Sequence, residues 1–97
     1  MPTRANTYQL TLAPLMLASG VPATRPTLQL EIRNHDELFT IMDRLATKPC
    51  FATPQQAAEF GLGLKLFSEV LLACKNEPVF QRFIPAFTLF VRELKQA

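Results

Sequence analysis

The chain has no tryptophan, one tyrosine, one histidine, two cysteines and three glycines in 97 residues. Each scarcity excludes something. A single histidine, His35, leaves no multi-histidine metal set, and in His35-Asp36-Glu37 consecutive helical side chains splay about 100° apart and cannot reach one ion. The acids of that run are read instead as residues that suit a helix N-terminus. No metal and no cofactor is expected. Two cysteines, Cys50 and Cys74, are too few for the disulfide framework of a small secreted domain. They read as reduced thiols of a cytoplasmic protein, Cys74 buried on an apolar stripe and Cys50 in a loop. A Cys–His nucleophile pair would need His35 to meet one of them in space, and nothing in their spacing argues for that.

Glycine-rich phosphate loops are absent, because Gly61-Leu62-Gly63 lies inside a helical pattern and not between a strand and a helix. Charge of one sign is also lacking. The net charge is +2, and the ten basic residues are dispersed along the sequence without a cluster, which disfavours a nucleic-acid partner. Membrane spans are not expected, since the longest apolar stretch, Ala57–Cys74, carries Glu59, Lys65 and Glu69. Leu10–Ala18, with Arg4 before it and Ala18-Ser19-Gly20 at its end, imitates a signal peptide. Gln9, Thr11 and Pro14 interrupt the apolar run, only one basic residue precedes it, and the same residues alternate as a strand does.

What is present is apolar patterning. Hydrophobic content is 48%, with eight phenylalanines, which is globular, and the length suits a single domain spanning residues 1–97. Tyr8, Leu10 and Leu12 alternate with Thr7, Gln9 and Thr11, predicting a half-buried strand over residues 7–17 that Pro14 ends or interrupts. Leu28, Leu30 and Ile32 alternate with Thr27, Gln29, Glu31 and Arg33 as a second strand. Between them, Ser19–Pro26 reads as a loop too long for a tight hairpin. The pair is expected to be antiparallel, with a wet Thr/Gln/Glu/Arg face and an apolar face covered by helices.

Asn34 is expected to cap a first helix, with Glu37 in the reciprocal position and Leu38, Ile41, Met42 and Leu45 buried. Thr53, Pro54 and Gln56 give a clear start to a central helix over about 54–75. On it, Phe60, Leu64, Phe67, Leu71 and Cys74 form one stripe and Leu62, Leu66, Val70 and Ala73 a second. Lys65, Ser68, Glu69 and Lys75 mark its wet side, Lys65 and Glu69 forming an i, i+4 pair. Gly61 and Gly63 suggest close approach of another backbone, expected at Gly63, or else plain tolerance of glycine by a well-packed helix. Asn76 followed by Glu77-Pro78 is expected to restart a helical turn, and Pro85 to kink or restart the backbone and open the last helix, with Phe83, Phe87, Phe90 and Leu94 on one stripe. The phenylalanines are read as core and not as a base-stacking platform. The fold class is therefore α+β, a two-stranded antiparallel ribbon followed by three helices (β-β-α-α-α).

The run G-L-G-L-K-L-F-S-E-V-L-L, then N-E-P-V-F and P-A-F-T-L-F, resembles a small bacterial domain-of-unknown-function family of about this length. The likeness extends to the Tyr8-x-Leu10-x-Leu12 strand and to the second strand leading into Asn34-His35-Asp36-Glu37. It implies that Gly63, Lys65, Phe67, Glu69, Pro78, Phe80, Pro85 and Phe87 match the family's motif. It also implies that Leu10–Leu17 belong to a first strand and not to a leader. The family brings no activity with it.

With no catalytic constellation, the reading is a non-enzymatic cytoplasmic protein, a homodimer acting through protein–protein interaction. A free strand edge and the doubly striped central helix motivate it. The candidate surface comprises Gln29, Glu31 and Arg33 on the ribbon and Gly61, Gly63, Lys65 and Glu69 on the central helix. The alternative is a small-molecule binder or minor enzyme with a pocket between ribbon and helices, containing His35, Cys50 or Glu69.

Overall fold

A computed structural model describes residues 4–97. The order is β1 (Asn6–Leu12), β2 (Leu28–Asn34), α1 (Leu38–Ala46), α2 (Pro54–Ala73) and α3 (Pro78–Gln96), an α+β fold of the β-β-α-α-α type. Two compact units make it up, one ending at His35 and the other running Asp36–Ala97.

In the first unit, β1 and β2 pair antiparallel with Tyr8 opposite Ile32, Leu10 opposite Leu30 and Leu12 opposite Leu28. Directly opposed residues share a face, so these six make the apolar face, and Thr7/Arg33, Gln9/Glu31 and Thr11/Gln29 the polar one. Alternation in the two strands therefore sets which residues share a face. β1 stops at Leu12, short of the expected end at Leu17, because Pro14 has no N–H to give to a ladder. The expected long loop contains a tight turn: the Leu17 N–H donates to the Val21 carbonyl at 3.0 Å and the Gly20 N–H to the Leu17 carbonyl at 2.9 Å. Gly20 has φ +87°, the left-handed region that glycine enters freely. Met16 and Pro22 form an isolated bridge across this turn. Residues that mimic a leader's cleavage site are thus turn residues.

The apolar face is half-buried at Tyr8, Leu10 and Ile32. Against the expectation of a covered face, Leu12, Leu28 and Leu30 are exposed.

The second unit begins with a corrected cap. Asn34 ends β2 and is buried, and Glu37 is the residue that caps α1, its Oε2 accepting from the Phe39 N–H at 2.9 Å and its Oε1 from the Thr40 hydroxyl at 3.2 Å. A carboxylate at that site also suits the helix dipole. Leu38 and Leu45 are buried and Ile41 and Met42 half-buried, the stripe that the spacing predicts.

Helix α2 begins as expected: Thr53 Oγ1 accepts from the Gln56 N–H at 3.1 Å, with Pro54 in the first turn. The Gln56 side chain reaches back to the Ala52 N–H at 2.7 Å, one residue before the cap. The helix ends at Ala73, and Cys74 is its half-buried C-cap, not a buried thiol. Ala57 and Leu71 are completely or almost completely buried, anchoring the two halves of α2.

Helix α3 does not start at Pro85. It starts at Pro78, after the N-cap Glu77, and runs through Pro85 to Gln96. Pro78 suits a first turn that leaves its N–H unpaired anyway. Pro85 costs the helix one i→i−4 bond, which ring packing on this face offsets. Phe67 of α2 meets Phe83 and Phe87 of α3 at 5.9 and 5.7 Å between ring centroids, and Phe60 meets Phe90 at 6.1 Å. These contacts order α3 antiparallel to α2. The half-buried stripe of α3 is Phe80, Ile84, Phe87, Val91 and Leu94. Of the expected stripe, Phe83 and Phe90 sit at its margin and stay exposed.

Candidate functional site

Helix α2 places its four candidate residues on different sides. Gly61 is buried against α1: a Cβ there would stand 2.8 Å from Leu45 Cδ1 and 3.5 Å from Met42 Cγ. Gly63 is exposed, and a Cβ on it would meet nothing within 4 Å. The close approach is therefore at Gly61, not at Gly63, because α1 crosses on the Ala57/Gly61 side of the helix. Lys65 and Glu69 are half-buried, not on a wet face. Lys65 Nζ lies 2.7 Å from Asp36 Oδ2, ahead of α1, and the main-chain oxygen of Lys65 accepts from the half-buried Ser68 hydroxyl. An i, i+4 pattern could not reveal a partner that arrives from another element. Around the rest of α2, Leu62 and Leu66 are half-buried, while Val70, Ala73 and Gly63 are exposed on the same arc.

The His35-Asp36-Glu37 run is taken apart by the fold. The main-chain oxygen of His35 accepts from the Asn6 side chain at 3.4 Å, Asp36 pairs with Lys65, and Glu37 caps α1. Cys50 is exposed, and neither thiol is in a disulfide.

Gln29, Glu31 and Arg33 are exposed on the polar face of β2, which among the described residues pairs only with β1, in a two-stranded sheet. Their partners across the ladder, Thr11, Gln9 and Thr7, are neutral. On the other face Leu12, Leu28 and Leu30 are exposed, and so are Leu15, Met16, Leu17 and Val21 in the connection between the strands. All seven are between 44% and 86% exposed. Exposed large apolar side chains grouped in one segment are a mark of interaction surfaces. Leu15 and Met16 read as strand from the sequence, so the bare tip is a feature that only the fold reveals.

A second arrangement escaped the sequence. Arg44, Lys48, Lys65 and Lys95 converge around a hollow of about 350 Å³ between α1, α2 and α3, over Ile41, Leu45, Leu64, Val91 and Leu94. The basic residues are dispersed in sequence but not in space. Only Arg44 and Lys48, four apart at the end of α1, were a local signal. Neither Cys50 nor Glu69 lines this hollow. The hollow can hold an anion; no nucleophile or general-base pair stands in it.

No curated protein matches the chain. Among solved structures, it is similar to a crystal structure of a protein of unknown function from Pectobacterium atrosepticum SCRI1043. The two are 32% identical over 97% of this chain and 100% of the other, with a TM-score of 0.80. Residues 6–96 match the profile of DUF3861, described as a domain of unknown function with a solved structure. The chain belongs to that family.

Proposed function

We propose that this is a non-enzymatic cytoplasmic protein that works as a homodimer and presents its helical unit to a protein partner, without metal or cofactor. One observation carries the reading: a two-stranded ribbon whose outer β2 edge meets no other strand among the described residues and whose exposed Glu31 and Arg33 stand two residues apart along it. Two strands alone are marginal in water, whereas three or more with an apolar face are stable. Pairing β2 with β2 of a second copy about a two-fold axis perpendicular to the sheet gives four strands with their apolar faces on one side. Centring that pairing on Ile32 sets Glu31 opposite Arg33 of the second copy. Each charge, opposed by a neutral residue across its own ladder, then gains an oppositely charged partner directly opposite it. Free thiols agree with a reducing compartment, and among the described residues no helix is long and apolar enough to cross a membrane.

Sedimentation equilibrium at micromolar concentration tests it. Wild type should sediment as a dimer, Arg33→Glu as a monomer, and the swap Glu31→Arg/Arg33→Glu as a dimer again. A wild-type monomer, or a swap that fails to recover association lost in the single variant, sinks the proposal.

A further inference from the structure

The hollow between α1, α2 and α3 has a composition that general packing does not account for. Its rim carries four cations and no carboxylate, in a chain whose whole net charge is +2. Like charges brought together raise the energy of the folded state unless something opposes them. Two are partly answered already: Lys65 by Asp36 at 2.7 Å, and Lys48 by the main-chain oxygen of Ala97 at 3.3 Å. Arg44 and Lys95, both exposed, face the same hollow with no side-chain partner among the described residues.

Beneath the rim the chemistry reverses. Ile41, Leu45, Leu64, Val91 and Leu94 are all aliphatic, Leu45 buried and the others half-buried. Thr47 adds one hydroxyl to the lining, and it already donates to the Arg44 main-chain oxygen at 2.7 Å, so the hollow has little for the hydrogen-bonding body of a sugar or a nucleobase. An inorganic anion would use the rim and leave the floor wet. A ligand with an anionic head and an aliphatic body uses both, and the volume, about 350 Å³, is at the lower end of small-molecule sites. Arginine also offers a planar fork that matches a carboxylate bidentately.

We infer that this hollow binds a small aliphatic carboxylate, a fatty acid of medium chain length, with its head between Arg44 and Lys95 and its tail over Leu64, Val91 and Leu94. The site lies wholly in the helical unit and uses no ribbon residue. It therefore stands or falls separately from the dimer.

Octanoate is the probe, titrated into the full chain and followed by calorimetry and by amide chemical shifts. Octanol (tail without charge), acetate (charge without tail) and inorganic phosphate are the comparators. Octanoate should bind saturably, at least tenfold more tightly than any comparator, with shifts centred on the end of α1, the middle of α2 and the end of α3. Arg44→Ala/Lys95→Ala, at exposed positions, should keep the wild-type circular dichroism and lose at least tenfold in octanoate affinity. Three results overturn the inference. Phosphate as tight as octanoate means a plain ion site; affinity unchanged in the double variant removes the rim; shifts centred on Leu12 and Leu28 place the ligand on the ribbon.

Discussion

Gly61 and Gly63 stand two residues apart on α2 and do opposite things. At Gly61 a methyl group would press on Leu45 Cδ1, which is itself buried, so the gain in helix propensity meets a packing penalty. At Gly63 there is only open space. Chemical denaturation should find Gly63→Ala more stable by about 0.5–1 kcal/mol, since alanine is the better helix former. Gly61→Ala should be destabilised by about 1 kcal/mol, overpacking outweighing propensity. If both gain equally, α1 does not press on Gly61. Gly20 is a third kind of case: its φ of +87° makes Gly20→Ala destabilising through the backbone, though no neighbour is near. Spacing shows that glycines occur within a helical pattern, but it cannot say which of them another helix crosses.

Among the elements, α2 carries the sharpest contrast between neighbours. Leu71 is buried and Val70 is exposed. Leu71→Ala should cost about 3 kcal/mol in urea unfolding, transfer and cavity terms adding, while Val70→Ala should stay within about 0.5 kcal/mol in a monomer. Thr53→Ala removes the acceptor for the Gln56 N–H and should cost about 1 kcal/mol. The cap of α2 was legible because Thr53, Pro54 and Gln56 act through neighbours in sequence. Asn34 misled for the same local reason. It has a capping residue's chemistry, but the β-ladder holds it opposite Asn6, and Glu37 takes the cap. Pro85 misled in the other direction. Phe83 and Phe87, on either side of it, both meet Phe67 of α2, and that packing favours a continuous helix.

At the scale of the whole molecule, the exposed leucines of the ribbon and the exposed apolar side chains of the helices, among them Val70, Leu72, Val79 and Leu89, are the apolar surfaces to be explained. If the proposed dimer holds, folding and association are linked, and the melting temperature should rise with protein concentration across the micromolar range. Arg33→Glu should abolish that rise, and Glu31→Arg/Arg33→Glu restore it, with the helical circular dichroism signal in place in both. A melting temperature independent of concentration in the wild type would count against the dimer. The basic hollow belongs to the same scale. Arg44, Lys48, Lys65 and Lys95 come from three helices and look scattered until those helices pack.

Sequence by itself determined what depends on periodicity and near neighbours. Alternation in Tyr8–Leu12 and Leu28–Ile32 specified two strands and which side chains share a face, since a slip of one residue would turn every leucine to the wrong face. The 3.6-residue spacing of Leu38, Ile41, Met42 and Leu45, and of the first stripe of α2, specified helices and most of their inner faces. Tertiary structure decided whatever depends on residues far apart in the chain. It chose Gly61 over Gly63 as the crossing point and gave Lys65 to Asp36. It also carried α3 through Pro85 and gathered four dispersed cations around one aliphatic floor. The physical reason is common to these cases: a side chain's environment is set by the element packed against it, and local spacing does not encode which element that is.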